Sequence, residues 1–361
     1  MGAFQGKQFR GGILRQLSMT RGIIGVLSAP LPVAAAGATH ETPAITDPDA
    51  GVRLNSASLE RWRAKNRDNC LMPGEAPDSK TEQLLNRFYG YIRQSELADR
   101  LYQDLSGGTA TLCTNAATKI PASAAAIYLI GQDAAIINAN GAGGRVVLSG
   151  LHELRHGWQD QNRLLDRMLA ETKQNRFAAL YMVEADAAAF AVAGAYQLKQ
   201  AGATEAWEAA QKSPTYKPLT EAFEREIGTI PDGAKLSDGQ IRRGMQGAFH
   251  AWFDNSGLDK AYTDRHLEGW RSVADSGIGR AVNIRQLAME LGKLPGSGGR
   301  PSPSYMGIQE IKKAQSRALE LVERQQTSPR DNPVGNPLLT SDGKPEGPKR
   351  VPVPGSSSGA I

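Results

Sequence analysis

Leu151-His152-Glu153-Leu154-Arg155-His156-Gly157-Trp158-Gln159 is the stretch on which the reading of this chain turns. Histidines at i and i+4 of a helix lie one turn apart on one face. Both imidazoles can then reach a single cation at roughly 2.0–2.1 Å. Glu153 is rotated about 100° from His152 around the axis. That makes it a poor third ligand, yet leaves it close enough to act as general base toward water held at the ion. Leu151, Leu154, Trp158 and Leu165 form an apolar stripe able to fasten such a helix to a core.

A catalytic zinc usually takes three protein ligands, so one more must come from elsewhere. Gln159 and Asn162 stand where an extended His-Glu-x-x-His-x-x-Gly-x-x-His pattern needs glycine and histidine, which excludes that arrangement. Residues 177–198 are almost entirely Ala, Leu, Val, Met, Tyr and Phe, yet they contain Glu184 and Asp186. Carboxylates in an apolar helix are costly unless paired, hydrogen-bonded or bound to a metal. The two are two residues apart and point in roughly opposite directions, so only one is expected to ligate. Glu184 is the expected ligand, with Asp186 as an orienting group or structural acceptor. Gln159, a turn beyond His156, is a candidate for touching substrate or supporting a ligand. His250, Tyr262 and His266 are candidate donors to a transition-state oxyanion.

His152-Glu153-Leu154-Arg155-His156-x-x-Gln159 followed by Glu184-Ala185-Asp186-Ala187 resembles a bacterial family of metallopeptidases without assigned substrates. Glu184-x-x-Ala187-x-x-Phe190-Ala191 is similar to the third-ligand helix of minimal gluzincins of the ImmA/IrrE type. The resemblance spans about residues 120–270. It implies Zn²⁺ held by His152, His156 and Glu184, Glu153 as general base, and a peptide or protein substrate. Arg155 departs from the strictest zincin pattern, which prefers an uncharged residue there, although the resembled metallopeptidase family has arginine at that position. Two other readings of the same residues are a zinc-binding interaction module without turnover and a zinc hydrolase of non-peptide substrates.

The fold class this predicts is α+β and mostly helical, a minimal zincin-like domain with a short β-hairpin packed on the active-site helix. The hairpin is expected at 125–139, around the turn-prone Gly131-Gln132-Asp133. Gly141, Gly143 and Gly144 read as a flexible connector, since they lack the spacing of a phosphate loop. The domain is expected over 39–294, with a helical N-terminal part at 56–108. Ten of the twenty prolines fall in residues 295–361, a segment expected to be mostly disordered. Its exception is an amphipathic stripe at 305–325 (Ile308, Ile311, Ala318, Leu319, Val322) that could dock on the body or on a partner.

Four basic residues of the net charge of +5 (Lys7, Arg10, Arg15, Arg21) lie in residues 1–38, which hold no acid. The remainder is nearly neutral, so nucleic-acid binding gets no support. That leader reads as an export signal, with Ala36-Gly37-Ala38 as an A-x-A-like cleavage site. The alternative is a disordered N-terminus on a cytoplasmic protein. No transmembrane segment is expected. Cys70 and Cys113 are compatible with one disulfide or with two free thiols.

Overall fold

The computed structural model describes residues 56–72, 75–78, 83–106, 110–120, 124–130, 132–141, 143–165, 173–231, 233–255, 283–296 and 303–327. The leader, Tyr262, His266 and everything after 327 lie outside these residues. Residues up to Leu319 belong to one compact unit, and of a second unit only the end of the last helix is described.

The architecture is α+β and mostly helical. Helix α1 (Ser56–Lys65) leads through a single 3-10 turn (Arg67–Asn69) into strand β1 (Cys70–Leu71). Helices α2 (Gln83–Gln94) and α3 (Glu96–Ser106) precede β2 (Thr111–Thr114), β3 (Ala126–Leu129) and β4 (Ala134–Ile137). Then follow α4 (Gly143–Gln161), α5 (Lys173–Gln200), α6 (Glu205–Lys212), α7 (Lys217–Ile227), α8 (Asp238–Asp254), α9 (Ile284–Leu291) and α10 (Ile308–Thr327).

The expected hairpin is β3–β4, paired antiparallel with Ala126 opposite Ile137 and Leu129 opposite Ala134. Asp133 turns the corner at φ +50°, a left-handed conformation that aspartate tolerates better than most residues. The hairpin sits in a larger sheet of order β1-β2-β4-β3, with β2 parallel to β4 and β1 antiparallel to β2. Cys70 and Cys113 face each other in the β1–β2 register and are joined as a disulfide. This pins a strand of only two residues, both of them buried. By the chain-entropy argument, closing a loop of this length is worth about 4 kcal/mol.

Helix α4 packs on β3 and β4 and is buried at every residue from Val146 to Asp160. Its start corrects the connector reading of the glycine cluster. Gly143 takes φ +30° in the first turn, and a Cβ on Gly144 would lie 1.8 Å from the carbonyl oxygen of Glu205. Gly144 is therefore a close-packing position where α4 meets α6.

Helix α5 is apolar on all sides, as a helix enclosed by others must be. Its stretch Asn175–Gln200 is long and apolar enough to cross a membrane by length and composition, and its most apolar window is wholly buried inside the body. Alanines at 178, 179, 185, 187, 188, 189, 191, 193 and 195 are all buried and let the neighbouring helices approach closely.

The C-terminal stripe is helical where it was expected, and its first half docks on α8. Glu310, Ala314 and Ala318, at i, i+4 and i+8, are the buried positions. Ile308 and Leu319, which the stripe placed on the apolar face, are instead exposed by 57% and 43%. The contact face is set by Glu310, which accepts from Gln246 Nε2 at 2.8 Å and pairs with His250 Nε2 at 2.6 Å. Glu310 also takes the Gly307 amide at 2.6 Å. Burial alone would raise its pKa, but His250 and these amides outweigh it and hold the carboxyl at about 2. An unfolded glutamate titrates near about 4.3. The folded pKa is the lower one, so this stability is present above about pH 4.3 and lost as pH falls toward 2. Glu310→Gln should be less stable than the wild type at neutral pH in urea titrations. That gap should close between about pH 4.3 and 2, and a gap independent of pH would show that Glu310 is not ionised in the fold.

Candidate metal centre

Residues 152, 155, 156 and 159 fall at i, i+3, i+4 and i+7 of α4, the positions that an ordinary core helix fills with apolar side chains. Here they are His, Arg, His and Gln, each at most 1% exposed. That stripe faces the carboxylates of α5. Polar groups so deeply buried must answer one another, and they separate into two linked clusters.

In the first cluster His152 Nε2 and His156 Nε2 lie 3.0 Å apart, and Glu184 Oε2 is 3.5 and 3.6 Å from them. The three edges resemble one face of a tetrahedron. Bonds of roughly 2.0–2.1 Å to a central zinc give edges of about 3.3–3.4 Å. Among the described residues, His152, His156 and Glu184 are the group whose ligand atoms could hold one metal ion. Neither oxygen of Glu184 has a hydrogen-bond partner, although the side chain is fully buried. A buried carboxylate that meets the two imidazoles only at 3.5–3.6 Å and accepts no hydrogen bond is expensive, and a cation at the centre of the triangle removes the deficit. The donor set, two imidazoles and a carboxylate, suits a catalytic zinc.

The surrounding bonds fix which nitrogens face inward. Gln159 Nε2 donates to Val183 O at 3.0 Å and to Asp186 Oδ2 at 2.8 Å. Its Oε1 must therefore face His156 Nδ1, 2.7 Å away, and the imidazole donates there. His152 Nδ1 lies 3.3 Å from the Tyr216 hydroxyl, so it can donate to that oxygen and leave Nε2 facing the centre. Without metal, burial disfavours charge on both rings. For His156 the Glu184 carboxylate, with Glu153 behind it, reverses this and lifts the pKa to about 9. His152 is lowered by burial and by the neighbouring His156 charge. Glu184 is held far below the usual carboxylate range, burial being outweighed by the two histidines.

Glu153 is completely buried, and its Oε2 accepts the backbone N–H of Tyr128 at 2.9 Å. Tyr216, at the start of α7, has its pKa raised first by burial and then by the charges of Glu153 and Glu184. Its hydroxyl therefore keeps its proton while standing beside the cluster.

The second cluster is built on Asp186. Arg155 meets it through Nε–Oδ2 at 2.8 Å and Nη2–Oδ1 at 3.2 Å, and Tyr305 donates its hydroxyl to Oδ1 at 2.7 Å. Arg155 Nη2 also donates to the carbonyls of Leu291 at 2.6 Å and Lys293 at 3.0 Å. Its guanidinium carbon lies 4.0 Å from the centroid of the Trp158 ring. The charged residue that departs from the usual zincin pattern is the partner of the second α5 carboxylate.

Of the residues singled out in the sequence, His152, Glu153, His156 and Glu184 come together, with Gln159 and Asp186 adjoining them. His250 is not brought there: it sits on α8 paired with Glu310. Tyr262 and His266 fall outside the described residues. Tyr216 and Tyr305 were missed. Tyr216 lies in a turn after Ser213-Pro214, where no periodicity marks it, and Tyr305 stands in the proline-rich tail.

Comparison with curated proteins and with solved structures gave no match. Residues 63–274 match the family described as "Putative metallopeptidase family (DUF6782)", a span that contains the whole metal cluster and Glu153. The chain belongs to that family.

Proposed function

We propose that the chain is a zinc-dependent peptidase of the gluzincin type, with His152, His156 and Glu184 as metal ligands and Glu153 as general base. The observation that carries this reading is the buried Glu184 carboxylate, without a hydrogen bond and 3.5–3.6 Å from two inward-facing imidazole nitrogens.

A zinc ion held there supplies Lewis-acid activation of water and of a scissile carbonyl. Glu153, one residue from His152, takes the proton from the attacking water and returns it to the leaving amine. The Tyr128 N–H bond aims its carboxylate. Tyr216 accepts from His152 and keeps its own O–H proton available for the developing oxyanion, the role for which His250 and Tyr262 were the sequence candidates.

A peptide substrate is supported by the edge of the sheet. Asn138 N donates to Ala125 O, so pairing alternates along β3 and turns the backbone groups of Ala126 and Tyr128 away from β4. The Tyr128 N–H reaches Glu153 from that side. An extended chain laid along this edge would run past the general base, as in strand addition. The disulfide between Cys70 and Cys113 supports an exported protein in an oxidising compartment, as the leader suggests.

The test is metal content together with cleavage of an unbiased peptide library. Glu153→Gln should keep zinc and lose activity by at least the 10²–10⁴-fold typical of a missing general base, roughly. A Glu153→Gln protein that cleaves at the wild-type rate would remove Glu153 from the chemistry. A wild type that binds zinc and cleaves nothing would favour the interaction-module reading.

A further inference from the structure

We propose that the strap formed by α9 with residues 292–296 and 303–307 is a working part of the metal centre, with Tyr305 as the positioning residue that sets His156 through Asp186 and Gln159. The strap lies beyond residues 63–274, the span shared with the family. The proposal rests on the metal-site reading given above.

The strap contributes three groups to the buried network: the Tyr305 hydroxyl and the carbonyls of Leu291 and Lys293. Asp186 accepts four hydrogen bonds, two on each oxygen, which fills a carboxylate's capacity. From there a single chain of bonds reaches the ligand. Tyr305 donates to Asp186 at 2.7 Å, Gln159 donates to Asp186 at 2.8 Å, and His156 Nδ1 donates to Gln159 at 2.7 Å. Without the hydroxyl, Asp186 Oδ1 keeps only the 3.2 Å bond from Arg155, its weaker contact. The carboxylate is then free to rotate, Gln159 follows it, and the imidazole loses its fixed orientation. Outer partners of this kind orient ligands and raise their basicity.

Tyr305 is itself well placed to transmit order from the strap. It is 5% exposed, its N–H is bonded to Gly292 O at 2.9 Å, and its ring packs edge-on against Phe249 at 6.2 Å. Its position is therefore set by α8 and α9 together.

The experiment measures zinc affinity of the full chain by competition with a chelator, alongside the absorption spectrum of the Co²⁺-loaded protein. Tyr305→Phe keeps the ring and removes the hydroxyl. It should bind zinc about 10–100-fold more weakly and show a shifted Co²⁺ band. Leu85→Ala, in the core of α2 and outside the strap, should lower stability and leave affinity and spectrum unchanged. Equal affinities for wild type and Tyr305→Phe would overturn the proposal, as would an equal loss in Leu85→Ala. Coupling is reciprocal, so adding zinc to the wild type should slow hydrogen exchange at the Tyr305 amide. Unchanged exchange in a zinc-binding wild type would also overturn it, without recourse to a variant. A wild type that binds no zinc would sink the metal reading and this proposal with it, whereas the other adverse results leave the metal reading standing.

Discussion

Glu184→Ala should lose zinc by a factor of about a thousand or more, equivalent to roughly 4 kcal/mol. Three protein ligands are the usual complement of a catalytic zinc, and two histidines one turn apart are left when the carboxylate goes. Among the described residues, no other group completes a metal-binding cluster with the two histidines. Asp186 is the nearest candidate by sequence, but its oxygens are engaged by Arg155, Gln159 and Tyr305. Asp186→Asn should therefore behave differently from Glu184→Ala, weakening zinc about 10–100-fold as an orienting group does. Equilibrium dialysis separates the two, and the rise in melting temperature on adding zinc should vanish in Glu184→Ala. Wild-type affinity in that variant would mean that the third ligand is some other group and that the Glu184 carboxylate has a different reason to be buried.

That contrast between two carboxylates is legible in the sequence, and the reason is local. Helical spacing placed His152 and His156 together, and acids inside an apolar helix drew attention to 184 and 186 because burial of charge is costly. Their separation by two residues said that they face different partners. The β3–β4 hairpin was legible for a similar reason, since Gly131-Gln132-Asp133 breaks two apolar runs. The rest of the sheet was not. Strand β1 has two residues and β2 four, too short to show a period, and their register is set by partners 43 residues apart in sequence. The glycine cluster before α4 misled because close packing and flexibility call for the same residue. Gly144 is dictated by the Glu205 backbone, which lies far along the chain. Tyr216 and Tyr305 reach the site from a turn and from a proline-rich strap, and neither position carries a periodic signal. Arg155 looked like a departure from pattern, and only the fold shows what it is for.

Arg155→Met should cost about 3–5 kcal/mol, the usual result of removing one member of a buried ion pair. The charge left behind is Asp186, fully buried and reduced to the Gln159 and Tyr305 bonds. The carbonyls of Leu291 and Lys293 lose their guanidinium donor as well. For a chain of this size the melting temperature should fall on the order of 10 °C in metal-free protein. Arg155→Lys should recover only part of the loss, because an ammonium cannot present the planar fork that meets Asp186 through two nitrogens. Combining Arg155→Met with Asp186→Leu should recover more of the stability than the lysine does, since an apolar pair leaves no stranded charge. The double variant should nevertheless bind zinc more weakly than the wild type, having lost the acceptor that holds Gln159. Stability and metal affinity would then move apart, and that separation identifies the pair as an arrangement for orienting His156. If the double variant kept wild-type zinc affinity, the Arg155–Asp186 pair would be a feature of packing alone.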